Sequence, residues 1–185
     1  MKILKIILVS FIFLTCSVKA DLNQNLIKTL DQGGKLIFIR HAYAPGSGDP
    51  KNFNLNDCST QRNLSNRGKD QSKIIGNFFS KYNINIKNVY SSEWCRCQDT
   101  AKLAFGEYKN LNYLNSFFDE RYSKNKKKQI IELKKFIKNW DQNEDLIFVT
   151  HYVVILEILN LGTGSGDIVF FDKNYNVLDI INTFD

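Results

Sequence analysis

Two short apolar runs in this chain end alike. Leu36-Ile37-Phe38-Ile39 leads into Arg40-His41, Leu146-Ile147-Phe148-Val149 leads into Thr150-His151, and the chain has no other histidine. Unbroken Leu/Ile/Phe/Val runs of this length, bounded by turn residues, read as strands buried on both faces, the pattern of a parallel sheet covered by helices. Open sheets of that kind bind ligands in the crevice at the carboxyl ends of their strands. Both imidazoles are therefore expected in one cleft. Arg40 stands beside the first, and Arg96 lies just beyond a third candidate strand over residues 88–92. Two arginines and two histidines on one rim suit a phosphoryl group, because the planar guanidinium fork matches phosphate oxygens. A strand-end histidine taken singly is more often a polar edge residue, only partly buried; its repetition at two equivalent strand ends argues for shared chemistry. A catalytic zinc needs about three protein ligands, and no zinc-binding spacing accompanies either histidine. Neither a metal nor another cofactor is expected.

Residues 1–20 form a separate object: Lys2 and Lys5, an apolar stretch over residues 6–14, then Ser17-Val18-Lys19-Ala20. This is the pattern of a secretory signal peptide, with cleavage expected after Ala20. The stretch is shorter than the about 20 residues a spanning helix needs, so no stable membrane insertion is expected after cleavage. Phe13-Leu14-Thr15 before Cys16 is a poor match to the small residues that precede a lipidated cysteine. Residues 21–185 then make one domain, located in the periplasm or secreted. The leader carries three lysines and no acid, so part of the formal net charge of +6 leaves with it. The remaining excess gathers at Lys124, Lys126, Lys127 and Lys128 without interleaved aromatics, a solvated helix start rather than a nucleic-acid surface. An oxidising compartment makes a disulfide expected among Cys58, Cys95 and Cys97, joining Cys58 to Cys95 or to Cys97 and leaving one free thiol.

Along residues 21–185 the periodicity predicts helices over 22–30, 65–82, 93–105, 126–140 and 153–161, and strands over 35–40, 89–91 and 146–150. A short strand is expected at Leu111-Asn112-Tyr113-Leu114, and a closing hairpin over 168–171 and 177–181. Residues 42–63 hold both prolines and several Gly, Asn and Asp, a long loop of the kind that tends to be functional. Gly162-Thr163-Gly164-Ser165-Gly166 neither follows a strand nor opens a helix and reads as a plain turn. The alternation indicates an α/β fold, a three-layer α/β/α sandwich around a mostly parallel sheet.

Four blocks in order then resemble the histidine phosphatase superfamily, also called phosphoglycerate mutase-like, in its exported bacterial branch. They are Arg40-His41, Leu64-Ser65-Asn66-Arg67-Gly68, the block from Ser92 through Arg96 to Thr100-Ala101, and Thr150-His151. Ala42 stands where the family commonly has glycine after Arg-His. The resemblance implies a metal-independent phosphoric monoester hydrolase in which His41 takes the phosphoryl group while Arg40, Arg96 and His151 hold its oxygens. It also implies a carboxylic acid that protonates the leaving oxygen. Glu120 is preferred over its neighbour Asp119 for that role, with Asp49 or Asp57 in the long loop as fallbacks, and Arg62 is expected to reach the substrate. The expected substrate is a small-molecule or glycan phosphomonoester, such as an envelope sugar phosphate. A phosphohistidine protein phosphatase and a non-catalytic phosphate-binding module of the same fold are the alternatives.

Overall fold

The strands are β1 (Leu36–Arg40), β2 (Asn88–Ser91), β3 (Lys109–Asn110), β4 (Leu146–Thr150), β5 (Ile168–Phe171) and β6 (Val177–Ile181). They form one sheet in the order β3-β2-β4-β1-β5-β6. The computed structural model describes residues 34–84 and 86–184, so the expected leader and the helix expected over residues 22–30 lie outside the described residues.

Because side chains alternate across a strand, each central strand feeds two cores. On one face Ile37 and Ile39 of β1 and Ile147 and Val149 of β4 pack with Ile75 and Phe79 of α1 (Asn66–Lys81) and Cys97 and Ala101 of α2 (Cys95–Phe105). On the other, Leu36, Phe38 and Phe148 meet Leu133 and Ile137 of α4 (Lys126–Lys138) and Val154, Ile155 and Ile158 of α5 (Tyr152–Leu159). A one-turn α3 (Glu120–Ser123) precedes α4. The three layers are those expected from the sequence. Burial on both faces is why the β1 and β4 runs are continuously apolar, and all of their residues from 36 to 39 and 146 to 149 are buried.

The sheet itself is mixed rather than mostly parallel. β1–β4, β2–β4 and β2–β3 pair in parallel, whereas β1–β5 and β5–β6 are antiparallel. A hairpin at the end of the chain needs no crossover helix and so adds to the sheet antiparallel to its neighbour. β6 lies at the edge with Val177, Leu178 and Ile180 exposed. The expected third strand is also displaced: β3 occupies Lys109–Asn110, and Asn112–Leu114 is a 3-10 turn that buries Leu114. Alternation of Leu111 and Tyr113 with polar residues does not operate here, because the apolar side chains serve the α4 side of the core.

Two local devices bring the loop after β1 to the rest of the fold. Ser65 caps α1 by accepting from the Gly68 amide, and a Cβ at Gly68 would lie 2.0 Å from the Tyr43 carbonyl oxygen. Only a residue without a side chain lets α1 start that close to the segment following His41. The second device is a disulfide between Cys58 and Cys95, with Cys97 a buried free thiol. Cys95 and Cys97 sit two positions apart on α2, so their side chains leave the helix about 200° apart; one faces the loop and the other the sheet. Among the described residues no helix is long and apolar enough to cross a membrane.

The disulfide closes a segment of 37 residues. Chain-entropy reasoning sets its contribution at about 3–4 kcal/mol. Cys58→Ser should therefore shift the denaturant midpoint down, with an m-value no smaller than that of the unaltered protein, because the denatured chain without the crosslink is less compact. A midpoint equal to that of the unaltered protein would show that the crosslink constrains little.

Candidate active site

In-register parallel pairing places Arg40 of β1 opposite Thr150 of β4, and the His41 amide donates to the Thr150 carbonyl at 2.9 Å. The next residue on each strand is a histidine, and the two imidazole centroids lie 5.5 Å apart. His41 and His151 are almost fully buried, 2 % and 3 % exposed. They border a cavity of about 130 Å³ whose wall also includes Arg40, Asp49, Arg62, Trp94, Arg96, Ser116, Phe118, Asp119, Tyr122 and Tyr152.

The hydrogen bonds assign each ring a tautomer. His41 Nδ1 lies 2.8 Å from the Ala42 carbonyl; that nitrogen donates and the Nε2 lone pair is left facing the cavity. His151 Nε2 lies 2.9 Å from Ser92 Oγ, whose own proton goes to Asn115 Oδ1 at 3.0 Å. His151 Nε2 is thus the donor, and its Nδ1 carries the lone pair. Both lone pairs point at Arg96, from Nε to His41 Nε2 at 3.2 Å and from Nη2 to His151 Nδ1 at 3.5 Å. Burial first, and the Arg96 charge second, push both imidazoles well below their ordinary pKa, so both are neutral near pH 7.

Arg96 comes from the first turn of α2, and its side chain is 3 % exposed. Its opposite edge is held by Asp49, with Nη1 and Nη2 donating to the two carboxylate oxygens at 2.8 and 3.2 Å. Burial by itself would raise the Asp49 pKa. The Arg96 charge and the bonds from Arg96, Trp94 and the Arg62 amide outweigh it and hold the carboxyl below its usual range.

The remaining cations are fixed from the backbone. Arg40 donates to the Thr163 carbonyl and lies over the Tyr152 ring at 5.6 Å, while its buried Nε has no partner among the described residues. Arg62 donates to the carbonyls of Gly48, at 2.8 Å, and Ala44; Gly48 has φ +67°, a conformation that favours glycine. Burial, then the neighbouring Arg96, lower the Arg62 pKa to about 10. The glycine stretch read as a plain turn does more than turn. The Thr163 carbonyl anchors Arg40, and the Gly166 amide donates to the Arg40 and His41 carbonyls at 3.1 and 3.2 Å.

Arg40, His41, Arg62, Arg96 and His151 are thus brought together, as expected from the sequence. Glu120 is not: it is exposed and outside the cavity wall. Asp119 is the N-cap of α3 and lies at the wall, while Glu120 is the first residue of the helix proper. The Asp119 carboxylate is itself engaged. Arg121 donates to it from Nε and Nη2 at 2.8 Å each, and those side-chain bonds, then one from the Arg121 amide, hold it down to about 2. The sequence preference for Glu120 therefore has no support in the geometry. Asp49, Ser92, Trp94 and Asn115 form the hydrogen bonds that hold Arg96 and His151, contacts that sequence reasoning did not assign. Among the described residues no group of three or more His, Cys, Asp and Glu side chains is placed to hold a metal ion.

The fold matches solved structures over most of the chain. Phosphoglycerate mutase from Thermus thermophilus superposes with a TM-score of 0.59 at 16% identity, covering 80% of this chain and 98% of that one. The fold is that of the histidine phosphatases. The putative phosphohistidine phosphatase SixA from Agrobacterium tumefaciens gives a TM-score of 0.56 at 15% identity, covering 80% of this chain and 97% of its own. The protein histidine phosphatase SixA complexed with tungstate gives 0.53 at 14%, with the same two coverages. By sequence, neither a family model nor a curated protein matches this histidine phosphatase-fold chain.

The lowered imidazole pKa values carry a sign. Between the depressed folded value and the unfolded value of about 6.5, the unfolded chain binds more protons, so stability rises with pH there and is lost as acid is added. With only two histidines in the chain, their NMR titration is direct. Both should have midpoints below about 6.5, with the proton on Nδ1 of His41 and on Nε2 of His151. A midpoint above that value for either ring would contradict the neutral pair described here.

Proposed function

We propose that the chain is an exported phosphatase that hydrolyses a phosphomonoester through a phosphohistidine at His41. The observation that carries this reading is the unprotonated Nε2 of His41, held neutral in front of the Arg96 fork. A neutral imidazole is a usable nucleophile, and phosphoryl transfer otherwise depends mainly on positioning and on charge placed around the equatorial oxygens. His41 attacks phosphorus, the bond to the leaving oxygen breaks, and water then takes the phosphoryl group from His41 to give inorganic phosphate. Arg96, Arg40 and Arg62 surround the oxygens with positive charge, and His151 can accept a hydrogen bond from a protonated phosphate oxygen. The SixA neighbour was captured with tungstate, an oxyanion of phosphate-like shape, which supports an oxyanion as a ligand for this fold. The disulfide and the leader-like residues 1–20 support export to an oxidising compartment. An envelope sugar phosphate fits that location.

A second reading is favoured by the state of the carboxyls. Glu120 lies outside the cavity wall and Asp119 is tied to Arg121, so a leaving group that needs little help from a general acid suits the cavity. A phosphoimidazole, as in phosphohistidine of a protein, is such a group: its free ring nitrogen takes a proton from solvent, and the P–N bond then breaks with release of neutral imidazole.

Acid-labile phosphate should be trapped on His41 during turnover of an aryl phosphate, and His41→Ala should abolish it. Label on His151, or turnover with none, overturns the nucleophile assignment. The two substrate readings separate by rate. A phosphomonoester hydrolase with a working acid loses about 10²- to 10⁴-fold on alkyl phosphates when that acid is removed, read in Asp119→Asn and Glu120→Gln; a phosphoramidate enzyme is indifferent to both and prefers phosphoimidazole to alkyl phosphates from the outset.

A further inference from the structure

The Asp49 carboxylate lies against the arginine that should receive the phosphate. One reading makes it a competitor that occupies the anion site; another makes it the missing proton donor. The bonding pattern points elsewhere. Each oxygen of Asp49 accepts two hydrogen bonds: Oδ1 from Arg96 Nη1 at 2.8 Å and the Arg62 amide at 3.1 Å, and Oδ2 from Arg96 Nη2 at 3.2 Å and Trp94 Nε1 at 3.0 Å. A displaced Asp49 would leave a backbone amide and an indole N–H of the cavity wall without acceptors, which is costly for groups this buried. A carboxylate with four donors also holds no proton to give.

Asp49 uses only one edge of the guanidinium. Nη1 and Nη2 face Asp49, whereas Nε and the second proton of Nη2 face His41 and His151. The fifth N–H, on Nη1, reaches the Arg62 carbonyl at 3.4 Å. An arginine has five such protons, so Arg96 has no freedom left to turn.

We propose that Asp49 is a positioning residue, which clamps the end of Arg96 so that its Nε–Nη2 edge is presented to a phosphoryl group beside His41 and His151. The proposal rests on the phosphatase reading above. The loop that carries Asp49 is fixed at its far side by the Cys58–Cys95 bond, one residue before Arg96, and by the Gln61 side chain, which accepts from the Cys95 amide at 3.0 Å. Clamp and clamped residue therefore share one anchorage.

The test turns on a sign. Simple Coulomb reasoning says that removing a negative charge beside Arg96 tightens anion binding; the clamp says that it weakens it, because a fork displaced by about 1 Å can cost about 10²-fold in rate. Inorganic phosphate is titrated calorimetrically into the full exported chain, its disulfide intact, and into Asp49→Asn, which keeps the side-chain shape, with aryl phosphate kinetics alongside. The expected result is at least tenfold weaker phosphate binding and a loss of about 10²-fold in kcat/KM, shared between kcat and KM, with the pH–rate profile unchanged in shape. Tighter or equal phosphate binding overturns the proposal, and loss of the basic limb of the profile makes Asp49 the proton donor instead. Trp94→Phe, which removes one donor to Oδ2 and leaves the charge in place, should weaken phosphate binding in the same direction by a few-fold. It decides the matter if Asp49→Asn does not fold, since unchanged affinity there overturns the clamp. An unaltered chain that neither binds phosphate nor turns over aryl phosphate overturns the phosphatase reading and this one together; an active chain with an Asp49→Asn variant equal to it overturns this one alone.

Discussion

The parallel pairing of β1 with β4 is the constraint from which the site follows. Because Arg40 is opposite Thr150, both strands end at the same height, and one further residue of each delivers an imidazole to the same point. A slip by one residue would send the strands' side chains to the wrong faces, and with apolar cores on both sides of β1 and β4 such a slip gains nothing but loses the hydrogen bond from His41 to Thr150. The precision of the two histidines is thus set by backbone bonds and core volume, with no need for a special loop.

The cationic side chains obey a different logic. Bringing Arg40, Arg62 and Arg96 to one buried rim is unfavourable by mutual repulsion and desolvation, and the arrangement holds because each guanidinium has fixed acceptors. For Arg40 and Arg62 these are main-chain carbonyls; for Arg96 they are a carboxylate and two imidazoles. Carbonyl dipoles orient a cation without cancelling its charge, so a positive field survives in the cavity. This is electrostatic preorganisation, in which the donors need not reorganise as charge develops.

Much of this was legible in the sequence because it depends on short-range pattern. The runs at 36–39 and 146–149 announce buried strands, their last residues announce a shared rim, and Arg96 follows β2 at the distance of a first helical turn. What was not legible depends on how a loop folds. Asp49 stands 47 residues before Arg96 in sequence, and no periodicity ties the two; the path of residues 42–63 is determined by Gly48, Arg62 and the disulfide acting together. The placement of Asp119 and Glu120 was not legible for a related reason, since it turns on which of two adjacent acids caps a one-turn helix. The displaced β3 reflects the weakness of alternation in a two-residue strand.

Cys97 gives the disulfide a different kind of permanence. It lies two residues from Cys95, and a third cysteine that near is ordinarily a route by which bonds rearrange, since exchange begins with attack by a thiolate. Burial pushes this thiol up to about 12, so it stays protonated at pH 7. Its sulfur sits 3.6 Å from the Thr150 carbonyl oxygen, on the sheet side of the helix. The hydrophobic core therefore acts as the guardian of the crosslink's pairing: once the domain has closed around Cys97, the one free thiol among the described residues no longer takes part in exchange.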